Sequence, residues 1–212
     1  MQSFLPILIN IKNKKCVVIG GGKVAERKIK TLLKYGADIT LISPETTETL
    51  KEIIQKGKIK YIKKKYSKKD LRDAVIVVAA TSDSKVNSQI QKDAKFLINC
   101  VEQKESFEES NNVEYIVPAV FEKENLKIAI STEFPALSKT IKKELNEIYG
   151  KEFALYLKYL KKIRKVLKEK IRDSKERQRL FRKIASNKIV SILRQCGFKK
   201  AKEEIDRIIR ET

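Results

Sequence analysis

Residues 16–28 read CVVIGGGKVAERK. A short apolar run leads into three consecutive glycines, after which helical spacing begins. Within it, Gly20-x-Gly22-x-x-Ala25 follows a strand pattern directly and opens a helix, the context in which this spacing holds a dinucleotide. Each position has a physical reason. Gly20 permits a tight turn, Gly22 lets backbone N–H groups approach a pyrophosphate, and Ala25 lets the helix pack closely on the strand. The helix N-terminus adds the positive end of its dipole for the phosphates. A glycine turn without a ligand is the plainer alternative, and the pattern around it decides for the cofactor.

That pattern is an alternation. KCVVIG (15–20), DITLIS (38–43), AVIVVAA (74–80) and FLINCV (96–101) are short, Val/Ile-rich and apolar on both faces, as strands of a parallel sheet are; IKYI (59–62) is a weaker fifth. Segments 23–35, 46–56 and 83–95 carry helical spacing between them, the first closing at Tyr35 with Gly36 at C′. Strand–helix–strand order of this kind predicts a doubly wound α/β domain. After Val101 the chain turns polar, with an acidic cluster over 102–114. Residues 115–131 then read as a hairpin around EKEN, with Pro118 confined to an edge or irregular position. From Pro135 onward the spacing is helical to the end.

Composition sets the outer bounds. The 212 residues are 42% hydrophobic and 35% charged, with a net charge of +21. No apolar run approaches the roughly 20 residues a bilayer needs. The start, MQSFLPILINIKNKK, lacks a basic region ahead of its apolar stretch, so no signal peptide is expected and a cytoplasmic protein is. Three cysteines without CxxC spacing and no histidine speak against a disulfide framework or a zinc site, and no metal site is expected. Residues 151–212 hold 21 Lys+Arg against 8 Asp+Glu, a net of +13, so the positive charge is concentrated in the helical tail. Such an excess suits nucleic acid, anionic lipid or a small polyanion. Lys- and Glu-rich surfaces of heat-adapted proteins are the bland alternative.

The carboxyl ends of the strands supply the remaining candidates, because ligands in open α/β sheets bind there. Ser43-Pro44-Glu45 occupies the end of the second strand, where Glu45 can take a ribose hydroxyl. With no Arg at that corner for a 2′-phosphate, NAD is preferred to NADP. Thr81, after the fourth strand, is placed to line the nicotinamide side, or belongs to a helix cap made by Ser82 or Asp83. Glu102, after the fifth strand, is either a general acid/base or an exposed loop residue. Cys100 reads as a buried small hydrophobe, since no His exists to activate it.

These residues resemble a known family. Leu5-Pro6-Ile7 and then Val18-Ile19-Gly20-Gly21-Gly22-Lys23-Val24-Ala25-Glu26-Arg27-Lys28 look like the N-terminus of the precorrin-2 dehydrogenases, the NAD-dependent modules of siroheme synthesis, found alone or fused to a methyltransferase. Further matches lie at Ala79-Ala80-Thr81, Val86-Asn87, Asn99 with Val101, Val117-Pro118-Ala119 and Ile128–Thr132, so that the resemblance covers essentially the whole chain. It implies a Rossmann domain over 1–112, a small α+β segment for homodimerisation over 113–146 and a basic helical domain over 147–212. It also implies oxidation of precorrin-2, a polycarboxylate tetrapyrrole, to sirohydrochlorin, with iron insertion a second activity of some members. Lys23 and Val24 then join the cofactor turn, Asn99, Ser131 and Thr132 the substrate side, and Glu102 becomes the catalytic carboxylate.

Two departures stand out. The family's carboxylate is an Asp, and Glu102 sits one methylene further out before a longer loop that also carries Glu105 and Glu108. The family's Gly-Gly-x-Ser-Pro turn is shortened to Ser131-Thr132-Glu133-Phe134-Pro135. Two rival functions remain: a Rossmann-type redox sensor binding nucleic acid through the basic tail, and a chelatase that has lost dehydrogenation.

Overall fold

The computed structural model of the chain describes residues 5–95, 97–100 and 115–211. It divides into two compact units, Met1–Val117 and Pro118–Thr212.

In the first unit, β1 (Lys15–Ile19), β2 (Asp38–Ile42), β3 (Lys60–Ile62), β4 (Ile76–Ala79) and β5 (Leu97–Cys100) form one sheet in the order β3-β2-β1-β4-β5. Every pairing is parallel. The strands are apolar throughout because both faces are covered. Cys16 and Val18 of β1 join Leu41 and Val78 in a core closed by α1 (Lys23–Lys34) and α2 (Glu48–Gln55). Val17 and Ile19 face the other way and join Ile42, Val77 and Ile98 under α3 (Ser84–Asp93). The expected α/β sheet is therefore present, including its weak member at 60–62. A 3-10 turn at Lys68–Leu71, closed by a capping box between Ser67 and Asp70, leads into β4 and has no counterpart in the sequence reading.

The strand order places β1 in the middle. The chain leaves it toward β2 and β3 on one side, then returns to β4 and β5 on the other. The crevice at the carboxyl ends of β1 and β4 is the point where the order reverses, the position at which such sheets take ligands.

The second unit opens with an antiparallel hairpin, β6 (Ala119–Lys123) and β7 (Leu126–Ile130), in which Lys123 pairs with Leu126 across Glu124 and Asn125. Pro118 lies just outside β6, where its missing N–H costs the ladder nothing. Then come α4 (Pro135–Ile148), α5 (Lys151–Lys170), α6 (Ser174–Ile184) and α7 (Asn187–Arg210). Tyr156, Leu167, Leu180, Ile184, Ile189, Leu193 and Ile205 make the core of the last three helices. Tyr156 also donates its hydroxyl to the Ile184 carbonyl at 3.0 Å. Phe121 of the hairpin is buried and begins a file of ring contacts that runs through Tyr149 and Phe153 to Tyr156. α7 is broken at Gly197, whose φ is +78°, and the Glu152 carboxylate accepts the Phe198 N–H that the break frees, at 2.5 Å. Among the described residues, no helix is long and apolar enough to cross a membrane.

Candidate functional site

The three glycines have three different surroundings. Gly20 has φ +108°, and a Cβ there would lie 2.1 Å from the Ala80 carbonyl oxygen, so the turn presses on the end of β4. At Gly21 a Cβ would lie 1.8 Å from the Glu45 carbonyl oxygen and 2.9 Å from Ser43 Oγ, so the turn presses equally on the end of β2. At Gly22 a Cβ would meet nothing within 4 Å. Two glycines are filled by protein and the third faces open space.

That open space lies at the N-terminus of α1. Gly22 is the N-cap, it has no side chain to accept the first-turn N–H groups, and the first intrahelical bond is Glu26 N–H to Gly22 O at 3.0 Å. The amides of Lys23 and Val24 therefore open onto the crevice without a capping side chain. The acidic residue of the first turn, Glu26, is held by the Lys30 ammonium at 2.5 Å and the Thr47 hydroxyl at 3.0 Å. Lys30, and after it Thr47, keeps Glu26 ionised below the usual carboxylate range. Its charge is thereby paired with protein partners. Ala25 is fully buried against the sheet, as close helix–strand packing requires, and Val24 packs on the same core. Lys23 is exposed at the first helical position.

The neighbouring strand ends complete the crevice. Ser43 is buried and donates its hydroxyl to the Glu45 carbonyl at 2.6 Å, while Pro44 and Glu45 are exposed. Beyond β4, Thr81 is gripped by Asn87. The Asn87 Oδ1 accepts the Thr81 N–H at 3.1 Å and lies 2.8 Å from its hydroxyl, and Nδ2 donates to the Thr81 carbonyl at 3.0 Å. Asp83 is the N-cap of α3, accepting from Lys85 N and Val86 N. Thr81 thus stands beside the crevice while the capping belongs to Asp83. Gly20, Gly22, Lys23, Val24, Ala25, Ser43, Pro44, Glu45 and Thr81 are all brought to one end of the sheet. An open helix mouth and small backbone fit the phosphates of a dinucleotide.

Asn99 is buried on β5. Its Nδ2 donates to the Tyr115 carbonyl at 2.8 Å, and its Oδ1 is buried with no hydrogen-bond partner among the described residues. Ser131 and Thr132 belong to the second unit, where Thr132 Oγ1 donates to the Phe134 carbonyl at 2.6 Å and lies 2.8 Å from Ser138 Oγ at the start of α4. Glu102, Glu105 and Glu108, with the side chain of Cys100, lie outside the described residues.

Comparison with known proteins places this arrangement. A family model described as "Putative NAD(P)-binding" matches residues 7–119. A precorrin-2 dehydrogenase of Priestia megaterium is 32% identical over 176 residues, 81% of this chain and 84% of the relative. The chain belongs to the precorrin-2 dehydrogenase family. A second member, from Bacillus subtilis, is 31% identical over 165 residues, 76% of this chain and 98% of its own. The solved structure of SirC, a precorrin-2 dehydrogenase, superposes with a TM-score of 0.73 at 30% identity, covering 98% of this chain and 100% of SirC. The siroheme synthases are longer: that of Nitrosospira multiformis is 30% identical over 86% of this chain but only 39% of its own length. The chain spans about two-fifths of the length of the siroheme synthases it matches.

Within this family member, three contributors escaped the sequence reading. Gly21 occupied an unassigned place in Gly-x-Gly, although a run of three glycines is a signal that backbone approaches on more than one side. Asn87 matches the family but carries no role on sequence alone; a Thr and an Asn six apart across a strand–helix turn are its signal. Tyr61, whose hydroxyl donates to the Ser43 carbonyl at 3.0 Å, had none.

Proposed function

We propose that this protein oxidises precorrin-2 to sirohydrochlorin with NAD⁺ in siroheme synthesis. The observation that carries the reading is the open mouth of α1 at Gly22, built as a phosphate site in a chain of this family. NAD⁺ supplies the acceptor for a hydride. The chain's own residues do the rest. The Gly20–Ala25 turn holds the pyrophosphate through backbone N–H groups, with Lys23 at its exposed edge. Glu45 takes the ribose diol at a corner that offers no Arg to a 2′-phosphate, which favours NAD⁺ over NADP⁺. Thr81 lines the nicotinamide side.

On the substrate, one C–H bond gives up its hydride, and Glu102 takes the proton lost in the same oxidation. Asn99 contributes a buried acceptor, and Ser131 and Thr132 contribute hydroxyls. The cations of the helical part, concentrated beyond residue 150, meet the substrate carboxylates.

The chain works in the cytoplasm as a homodimer built through residues 113–146. Supporting this, Phe134, Leu137 and Ile148 on and beside α4 are exposed apolar side chains.

The test is direct. Purified protein with precorrin-2 and NAD⁺ is expected to produce NADH and the absorbance of sirohydrochlorin, and Glu102→Gln to lose most of that rate while still binding NADH. No turnover above background removes the assignment, and an unchanged Glu102→Gln moves the base elsewhere. Light scattering should give twice the chain mass, and Leu137→Glu should return it to one.

A further inference from the structure

The corner that presents Glu45 is held from two sides, and one of the ties comes from a residue outside the cofactor turn. On the glycine side, the Glu45 carbonyl sits in the space that a side chain at Gly21 would fill, and the Thr47 N–H donates to the Gly21 carbonyl at 3.0 Å. On the far side lies β3, only three residues long. Its ladder with β2 ends in the Ser43 N–H to Ile62 carbonyl bond at 3.4 Å, at the long limit for such a bond. The backbone of β3 alone therefore holds Ser43 weakly.

Tyr61 makes good this deficit. It pairs with Leu41 in register, packs on the α1/α2 face of the sheet, and reaches forward two residues along β2 to give its hydroxyl proton to the Ser43 carbonyl at 3.0 Å. Ser43 in turn gives its own hydroxyl proton to the Glu45 carbonyl at 2.6 Å. The series Tyr61–Ser43–Glu45 runs from the sheet edge to the exposed carboxylate, each link donating to a backbone oxygen.

We propose that Tyr61 is a positioning residue for cofactor recognition: its hydroxyl fixes the Ser43–Glu45 corner so that Glu45 meets the adenosine ribose. This rests on the reading above that Glu45 takes the ribose diol. Tyr61 does not touch the cofactor, and its effect is confined to what Glu45 contributes. Loss of one neutral hydrogen bond in such a series corresponds to a roughly three- to tenfold change in an equilibrium.

The experiment is calorimetric titration of the full-length protein with NAD⁺ and with its analogue lacking the adenosine-ribose 2′-hydroxyl, for wild type, Tyr61→Phe, Glu45→Ala and the double variant. Thermal melts verify that each variant is folded. Tyr61→Phe is expected to weaken NAD⁺ about three- to tenfold, to weaken the deoxy analogue, which leaves Glu45 only the 3′-hydroxyl, by less, and to add nothing to Glu45→Ala. A Tyr61→Phe variant that weakens both ligands equally, or neither, overturns the proposal while the Glu45 reading stands. If Glu45→Ala binds NAD⁺ as wild type does, the ribose reading itself fails and the role of Tyr61 falls with it.

Discussion

Gly21 and Gly22 are adjacent and chemically identical, yet their replacement by alanine should give opposite phenotypes. A Cβ on Gly21 would stand 1.8 Å from the Glu45 carbonyl oxygen. Since a Cβ essentially never stands closer than 3.0 Å to another heavy atom, the two segments must part by about 1.2 Å. They are fastened by Thr47 N–H to Gly21 O, so the opening strains or breaks that bond, and the same Cβ would stand 2.9 Å from Ser43 Oγ. Overpacking of this kind costs about 1–3 kcal/mol and each lost hydrogen bond about 1 kcal/mol. A total near 3 kcal/mol lowers the melting temperature by roughly 6–12 °C for a chain of this size. A Cβ on Gly22 meets nothing, and an alanine N-cap in place of glycine costs less than about 1 kcal/mol. Gly22→Ala should therefore melt within about 3 °C of wild type. Its methyl group, however, occupies the space proposed for the pyrophosphate, and NADH affinity should fall at least tenfold, about 1.4 kcal/mol. Thermal melts without cofactor and NADH fluorescence titrations separate the two. Equal melting temperatures for the two variants, or a Gly22→Ala protein that binds NADH normally, would refute the reasoning.

Asn87→Ala removes a buried amide that satisfies the backbone N–H and carbonyl of Thr81, and urea unfolding should show a loss of about 2–4 kcal/mol; a loss under 1 would contradict the role given to that grip. Burial, and after it the charge of Asp38, pushes the Cys16 thiol up to about 11. The folded value exceeds the unfolded one, so this contribution is complete below about pH 8.5 and is lost as pH rises toward 11. The melting temperature should decline over that window, and Cys16→Ala should flatten the decline; an equally steep slope in the variant would assign it to other groups. Iodoacetamide at pH 8 should label the exposed Cys196 and spare Cys16 until the protein unfolds, as peptide mass mapping would show. Gly197→Ala forces a side chain into left-handed backbone and 3.2 Å from the Glu152 carboxylate, which should cost about 1–2 kcal/mol by chemical denaturation, whereas a neutral result would mean that the helix break relaxes freely.

The fold was legible because both faces of the first sheet are buried. Val17 and Val18 point into different cores, so apolar residues are needed consecutively, and a short Val/Ile run becomes a strong strand signal. β3 was faint for the complementary reason: a three-residue edge strand has little to bury. The glycine turn, the hairpin and the helical tail were also visible, each through local chemistry. What local chemistry does not carry is the identity of the neighbour. The sequence contains Gly21 but not the Glu45 carbonyl pressed against it, and Tyr61 but not the Ser43 carbonyl it reaches. Both depend on the parallel register of β2 with β1 and β3, which brings together residues about twenty positions apart. The 3-10 turn at Lys68–Leu71 lay in a Lys-rich stretch with no apolar period, and its capping box became significant only once Ser67 and Asp70 were seen to bond. The break at Gly197 sits within an unbroken helical pattern, because a single glycine leaves the apolar spacing on either side intact.

The file of rings from Phe121 through Tyr149 and Phe153 to Tyr156 has a consequence for how this half of the molecule can be inherited. In the sequence a gene boundary between residues 146 and 147 looks natural, although it falls inside α4. Cutting there would strip Phe121 of its ring neighbour on one fragment and Tyr149 of Phe121 on the other. Recombination that shuffles the helices without the hairpin is thereby penalised. The helical tail can change its surface charges freely, but separation from the two strands that precede it costs the Phe121–Tyr149 contact.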